Sequence, residues 1–128
     1  MIEKIKAFEG NALAIEVIDG FTETDEKLAQ QFFNEKVEEG NDYIHVLVKL
    51  DEMKISHSST KAFMEDMIWV LRNYHQMGNL AIVAHSKVLK ALVPIDNIFF
   101  ERLQKGFEER YFDASQLDKA LAFISPNE

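Results

Sequence analysis

A chain of 128 residues, 47% hydrophobic and 28% charged, has the size and composition of one globular domain, expected to span residues 1–128. Its net charge of −8 argues against nucleic acid and anionic lipid surfaces, which are bound through clustered Lys and Arg. There is no cysteine, no apolar run near the about 18 residues of a membrane span, and no apolar signal core in MIEKIKAFEG; disulfides, thiolate metal sites and an integral membrane segment are disfavoured, and a cytoplasmic location is expected.

Residues 2–8 and 13–18 read as strands joined at Gly10-Asn11. That pair adopts positive φ readily, so an antiparallel hairpin is expected. Residues 22–39 read as a helix: Thr22 stands at the cap, Asp25 at the capping-box position, and Leu28, Phe32, Phe33 and Val37 form an apolar stripe. Much of the acid lies between Glu23 and Asp42. A solvated helix face accounts for it; an acidic docking surface for a basic partner is the alternative.

Residues 43–50 read as the third strand, with Ile44, Val46, Val48 and Leu50 on one face. A helix over 58–76 follows, then a strand over 80–84 with no charge on either face, which is expected to be central. A third helix starts over 86–93, breaks at Pro94 and resumes over 96–104. Residues 107–112 carry Glu108, Glu109 and Arg110 and read as an edge strand. Asp113 then caps a last helix, with Gln116 at the box position and Leu117, Leu121 and Ile124 facing inward.

Gly40, Gly78 and Gly106 each follow a predicted helix and precede a predicted strand, where a left-handed residue ends a helix. The fold class is therefore α/β: a single layered domain of order ββαβαβαβα, with a mixed, mostly parallel five-stranded sheet, about four helices and right-handed crossovers.

Ligands of open α/β sheets gather at the carboxyl ends of the parallel strands. Here those ends are followed by Asp19, Asp51, His57-Ser58, His85-Ser86 and Asp113, although Ser and Asp are also good helix caps. Ser58 and Ser59 open the helix over 58–76. Either one of them caps it, or its N-terminus receives an anion with Ser58 itself as phosphoacceptor, since free amides and the helix dipole favour negative charge there. His45, His57, His75 and His85 show no metal-ligand spacing, and no glycine-rich phosphate loop occurs, so no metal and no cofactor are expected. His57, His85, Ser58 and Asp51 form only a loose hydrolytic set with no GxSxG elbow. No catalytic residue is assigned, and the chain reads as a non-enzyme.

On the helix over 58–76, Phe63, Met64, Met67, Val70, Leu71 and Tyr74 make one broad face suited to a core. Trp69 points nearly opposite, among Glu65, Asp66 and Arg72, as in a contact surface. Ile95, Ile98, Phe99 and Phe100 follow the Pro94 break, and two consecutive Phe residues cannot both face one core. Trp69, Ile95, Phe99 and Phe100 are the expected ligand or partner surface; a satellite core cluster is the alternative.

The succession LVKLDEMKISHSST and NLAIVAHSKVLKAL resembles the STAS superfamily, domains like the bacterial anti-sigma-factor antagonists, over nearly the whole chain. FMEDMIWVLRNY and RYFDASQLDKALAFI are similar to its SpoIIAA-like proteins, a branch grouped with the STAS and CRAL-TRIO lipid-binding folds. In the antagonists the strand-to-helix junction reads Asp-Ser-Ser-Gly, with the first Ser phosphorylated. The resemblance carries that role to Ser58 of His57-Ser58-Ser59-Thr60, where His57 replaces the Asp and Thr60 the Gly. The SpoIIAA-like branch implies instead an apolar or amphipathic small molecule or lipid, which Trp69, Phe99 and Phe100 would suit. The leading expectation is a non-enzymatic binding or interaction module that takes such a ligand, or a second copy in a homodimer, on the helices over 58–76 and 86–104. The alternative is a phospho-regulated switch read by a regulatory protein, with Ser58 as acceptor.

Overall fold

Apolar residues recurring with period two decide where the strands lie and which way each side chain points. The computed structural model describes residues 2–6, 10–18, 23–51, 77–85 and 108–125. Five strands form one sheet: β1 (Ile2–Lys6), β2 (Ala12–Ile18), β3 (Ile44–Asp51), β4 (Met77–Ala84) and β5 (Glu109–Asp113). They lie in the order β1-β2-β3-β4-β5. The first pair is antiparallel and the other three are parallel, as the hairpin and crossover reading requires. Helix α1 (Glu23–Glu38) connects β2 to β3, and a 3₁₀ turn (Ala114–Gln116) leads into α2 (Leu117–Ile124). The helices expected over 58–76, 86–93 and 96–104, with Gly106, lie outside the described residues.

The two faces of the sheet carry side chains of different size. On one face Leu13, Ile15, Val17, Val46, Val48 and Ile82 meet Phe33 of α1, flanked by Leu28, Phe32 and Val37. This is the stripe read from the sequence. On the other face Ala12, Ala14, Leu47, Ala81 and Val83 meet Ala120 and Ile124 of α2. The small residues let α2 lie close to the sheet. Its stripe Leu117, Ala120, Leu121, Ile124 has the i, i+3, i+4, i+7 spacing of one helical face. From Leu80 to Val83 every β4 side chain is fully buried, which places β4 in the interior between β3 and β5. Leu80, Ile82 and Val83 each contribute roughly 1.5–3 kcal/mol, and the smaller Ala81 less.

Both sheet edges are charged and fastened to a helix. Lys4 of β1 lies 4.6 Å over the Phe32 ring of α1 and 3.7 Å from Glu35. Arg110 of β5 lies 4.8 Å over the Phe123 ring of α2. A charged outer strand also discourages pairing with a further chain. Gly10 turns the hairpin at φ +82° and Gly40 ends α1 at φ +97°, where a β-carbon would be strained. The Gly40 amide donates to Val37 O at 3.0 Å, and Asn41 Nδ2 donates to Lys36 O at 2.8 Å, so these two carbonyls of the last turn of α1 are satisfied.

Three expectations are corrected. Gly78 is not a left-handed helix end: it is a residue of β4, which begins at Met77 rather than at residue 80. It is glycine because a β-carbon there would sit 2.5 Å from His45 Nδ1. β5 runs from Glu109 to Asp113, a shift towards the carboxyl terminus from 107–112. Glu109 is not a solvent-facing edge charge either: it is buried at 2% exposure and accepts a hydrogen bond from Tyr111 Oη at 3.0 Å, while Glu108 and Arg110 are exposed.

The small-residue face gives a direct prediction. Ala81→Leu is expected to force α2 away from β4 and lower the unfolding free energy by about 1–3 kcal/mol. Urea unfolding measures this, and an unchanged midpoint would mean that α2 does not pack against Ala81.

Candidate functional site

Parallel register fixes which strand ends meet. Ile18 pairs with Asp51, Leu50 with Ala84, and Ala84 with Asp113. The carboxyl ends of β2, β3, β4 and β5 therefore form one edge, where the chain order expects a site. His85 follows β4 at this edge and is exposed. Two rungs in from it, on the α2 face, Lys49 Nζ donates to Glu16 Oε2 at 2.8 Å, each side chain about one-fifth exposed.

Asp113 is the best-defined polar group of the edge. Its Oδ2 accepts the Ser115 hydroxyl at 2.6 Å and the Ser115 amide at 2.9 Å, while its own amide donates to Gln116 Oε1 at 3.2 Å. This is the capping box read from the sequence, set on a 3₁₀ turn rather than directly on a helix. The Ser115 hydroxyl and then the Ser115 amide hold the Asp113 carboxyl below the usual carboxylate range, with the His85 imidazole adding in the same direction. The arrangement orders the chain after β5. It supplies a fixed acceptor and activates no nucleophile, because the Ser115 hydroxyl donates straight to the carboxylate with no imidazole between them.

The sequence-derived site residues divide in two. Asp51, His85 and Asp113 reach the same edge, on adjacent strands. His57, Ser58, Ser59, Trp69, Ile95, Phe99 and Phe100 lie outside the described residues, as do Asp19 and Ser86. Among the described residues no group of three or more His, Cys, Asp or Glu side chains is placed to hold a metal ion. Among the described residues Tyr43, 40% exposed, is the most exposed large hydrophobic side chain.

At the opposite edge lies a cluster to which sequence reading gave no role. His45 is buried and its Nδ1 accepts the Asn79 amide at 2.7 Å. Asn79 Oδ1 in turn accepts the Glu108 amide at 3.0 Å, and Glu108 O accepts the Leu80 amide at 2.9 Å. The signal was present as a histidine on the small-residue face opposite a Gly-Asn pair.

Asp113 carries a prediction for acid conditions. Its folded carboxyl protonates below its unfolded value, so the stability it contributes is present above about pH 4 and is lost as pH falls through the folded value. Asp113→Asn keeps a capping oxygen and does not titrate. Urea midpoints between about pH 3 and pH 5 are expected to fall less steeply in the variant than in the native chain; equal slopes would contradict the cap.

The SpoIIAA-like family model matches residues 12–125, from the start of β2 to the residue after α2. Neither a search of curated proteins nor one of solved structures returned a match. The matched span holds the three parallel pairs and both helices described above, with only β1 outside it, and the chain belongs to the SpoIIAA-like family.

Proposed function

We propose that this chain is a non-catalytic protein-interaction module of the anti-sigma-factor-antagonist type, which docks its partner at the carboxyl edge of the sheet. The family match supports an interaction module. The observation that carries the surface is the β3–β4 register. Leu50 and Ala84 are paired, so residues 52–76 and 86–107 depart from adjacent positions of one edge. The first segment holds Ser58 and Trp69; the second holds Ile95, Phe99 and Phe100. Two aromatic side chains buried at about 1.5–3 kcal/mol each suffice for a weak-to-moderate contact.

The occupant we assign to the aromatic surface is a second copy of the chain. Trp69→Ala is expected to leave the melting temperature of dilute protein unchanged and to weaken self-association about tenfold or more. Native mass spectrometry across a concentration series measures this and detects a co-purified apolar molecule or lipid in the same spectrum. A native chain that is monomeric throughout and carries no such molecule contradicts the aromatic surface. A large loss of thermal stability in the dilute variant would place the indole in a core instead.

A second reading is favoured by family membership together with the exit of β3 towards His57-Ser58-Ser59. Ser58 is then a phosphoacceptor whose added charge changes what the edge binds. It predicts one phosphate on Ser58 in protein isolated from its own cells, and none in Ser58→Ala. An unmodified Ser58 peptide under every growth condition counts against it.

A further inference from the structure

The amino edge of the sheet holds a buried histidine in a role that depends on its protonation state. Ile44 pairs with Met77 and Val46 with Leu80, so His45 alone faces two residues of β4, Gly78 and Asn79. This β-bulge takes the Asn79 amide out of the regular ladder. His45 Nδ1 accepts that amide at 2.7 Å. The ring lies over Gly78 so closely that a β-carbon there would meet Nδ1 at 2.5 Å and Cε1 at 2.8 Å. The backbone of β3 is fixed at the same residue, where the His45 amide donates to Asn11 O at 2.7 Å. Asn79 passes the connection on, since its Oδ1 accepts the Glu108 amide at 3.0 Å just before β5. The imidazole thus fastens the start of β4, and through Asn79 the approach to β5.

We propose that His45 is an acid-released latch: an Nδ1 that accepts a backbone amide cannot carry a proton, so protonation sets N–H against N–H and frees the start of β4. The charged groups described on the neighbouring elements are paired with one another or exposed. Among the described residues, Glu108 and Arg110 beside β5 pair with each other at 2.7 Å. Glu16 and Lys49 pair along the same face of β2 and β3, and Lys36 pairs with Glu39 at the end of α1. Asp118 and Lys119 on α2 and Asp42 before β3 are exposed. Burial holds the imidazole below its ordinary value. The folded chain therefore binds fewer protons than the unfolded one, and the stabilisation is complete above about pH 6.5 and is lost as pH falls below it. Both segments that leave the carboxyl edge return to the sheet at this latch, one at Met77 and one just before Glu109.

The experiment compares the full chain with His45→Asn, whose Oδ1 stands close to the place of Nδ1 and accepts the same amide without titrating. Below about pH 6.5 the unfolding constant of the native chain is expected to rise, relative to the variant, by up to about tenfold per pH unit until the folded imidazole is protonated. Parallel pH profiles would overturn the latch, because the acid response would then belong to other groups. If His45→Asn does not fold, nuclear magnetic resonance on the native chain decides. The His45 ring and the exchange protection of the Asn79 amide are expected to change together, at a midpoint below the ordinary imidazole value. A ring that protonates at its ordinary value while the Asn79 amide stays protected overturns the proposal.

Discussion

Everything in this fold depends on β3 and β4 being covered on both faces. A strand between two layers cannot leave a polar side chain unpaired, so the middle of β4 is wholly apolar. The alternation then separates large from small residues. Ile, Val and Leu on one face suit the bulky stripe of α1, and Ala on the other admits α2 at close range. Because the side-chain period is two, a slip of one residue would exchange the faces and put large residues where α2 needs small ones. Register is therefore tightly specified, and register decides which strand ends meet.

The functional reading is a consequence of that register. Parallel neighbours send their outgoing connections from one edge and take them back at the other. In this chain the outgoing edge carries Asp113 with its ordered cap and an exposed His85, and it leads into the segments that hold Ser58 and the unassigned aromatics. The incoming edge carries His45, Gly78 and Asn79 in a part-buried hydrogen-bonded cluster. The proposed docking uses the first edge, and the proposed latch holds the ends of the same two segments at the second.

Much of this was legible because local and long-range requirements agree. Gly40 ends a helix and takes positive φ, and Asp113 and Gln116 form the box that their spacing promises. The faces of β3 and the stripe of α1 follow from period alone. Reading failed where one residue type serves two physical purposes. Gly78 lies where a helix-ending glycine would, yet it is required for the close approach of a ring that is distant in sequence. Glu109 looks like an edge charge, but its carboxylate is buried and bonded to Tyr111. A histidine's role as acceptor depends on a bulge in the neighbouring strand, and a one-dimensional pattern does not carry that. The expected contact residues Trp69, Ile95, Phe99 and Phe100 rest on helical spacing and lie outside the described residues, and the family match bears on the family and its fold alone.

The central claim, that the two segments depart together from one edge, is open to a direct distance measurement. The chain has no cysteine, so His85→Cys accepts a single nitroxide label at an exposed position. Asn79 lies six residues earlier on the same strand, about 20 Å away at roughly 3.3 Å per residue. Paramagnetic broadening is expected to be strong at the Asp51 and Asp113 amides and weak at Asn79 and Glu108. Equal broadening at the two ends, or the reverse order, would contradict the parallel arrangement and with it the shared docking edge.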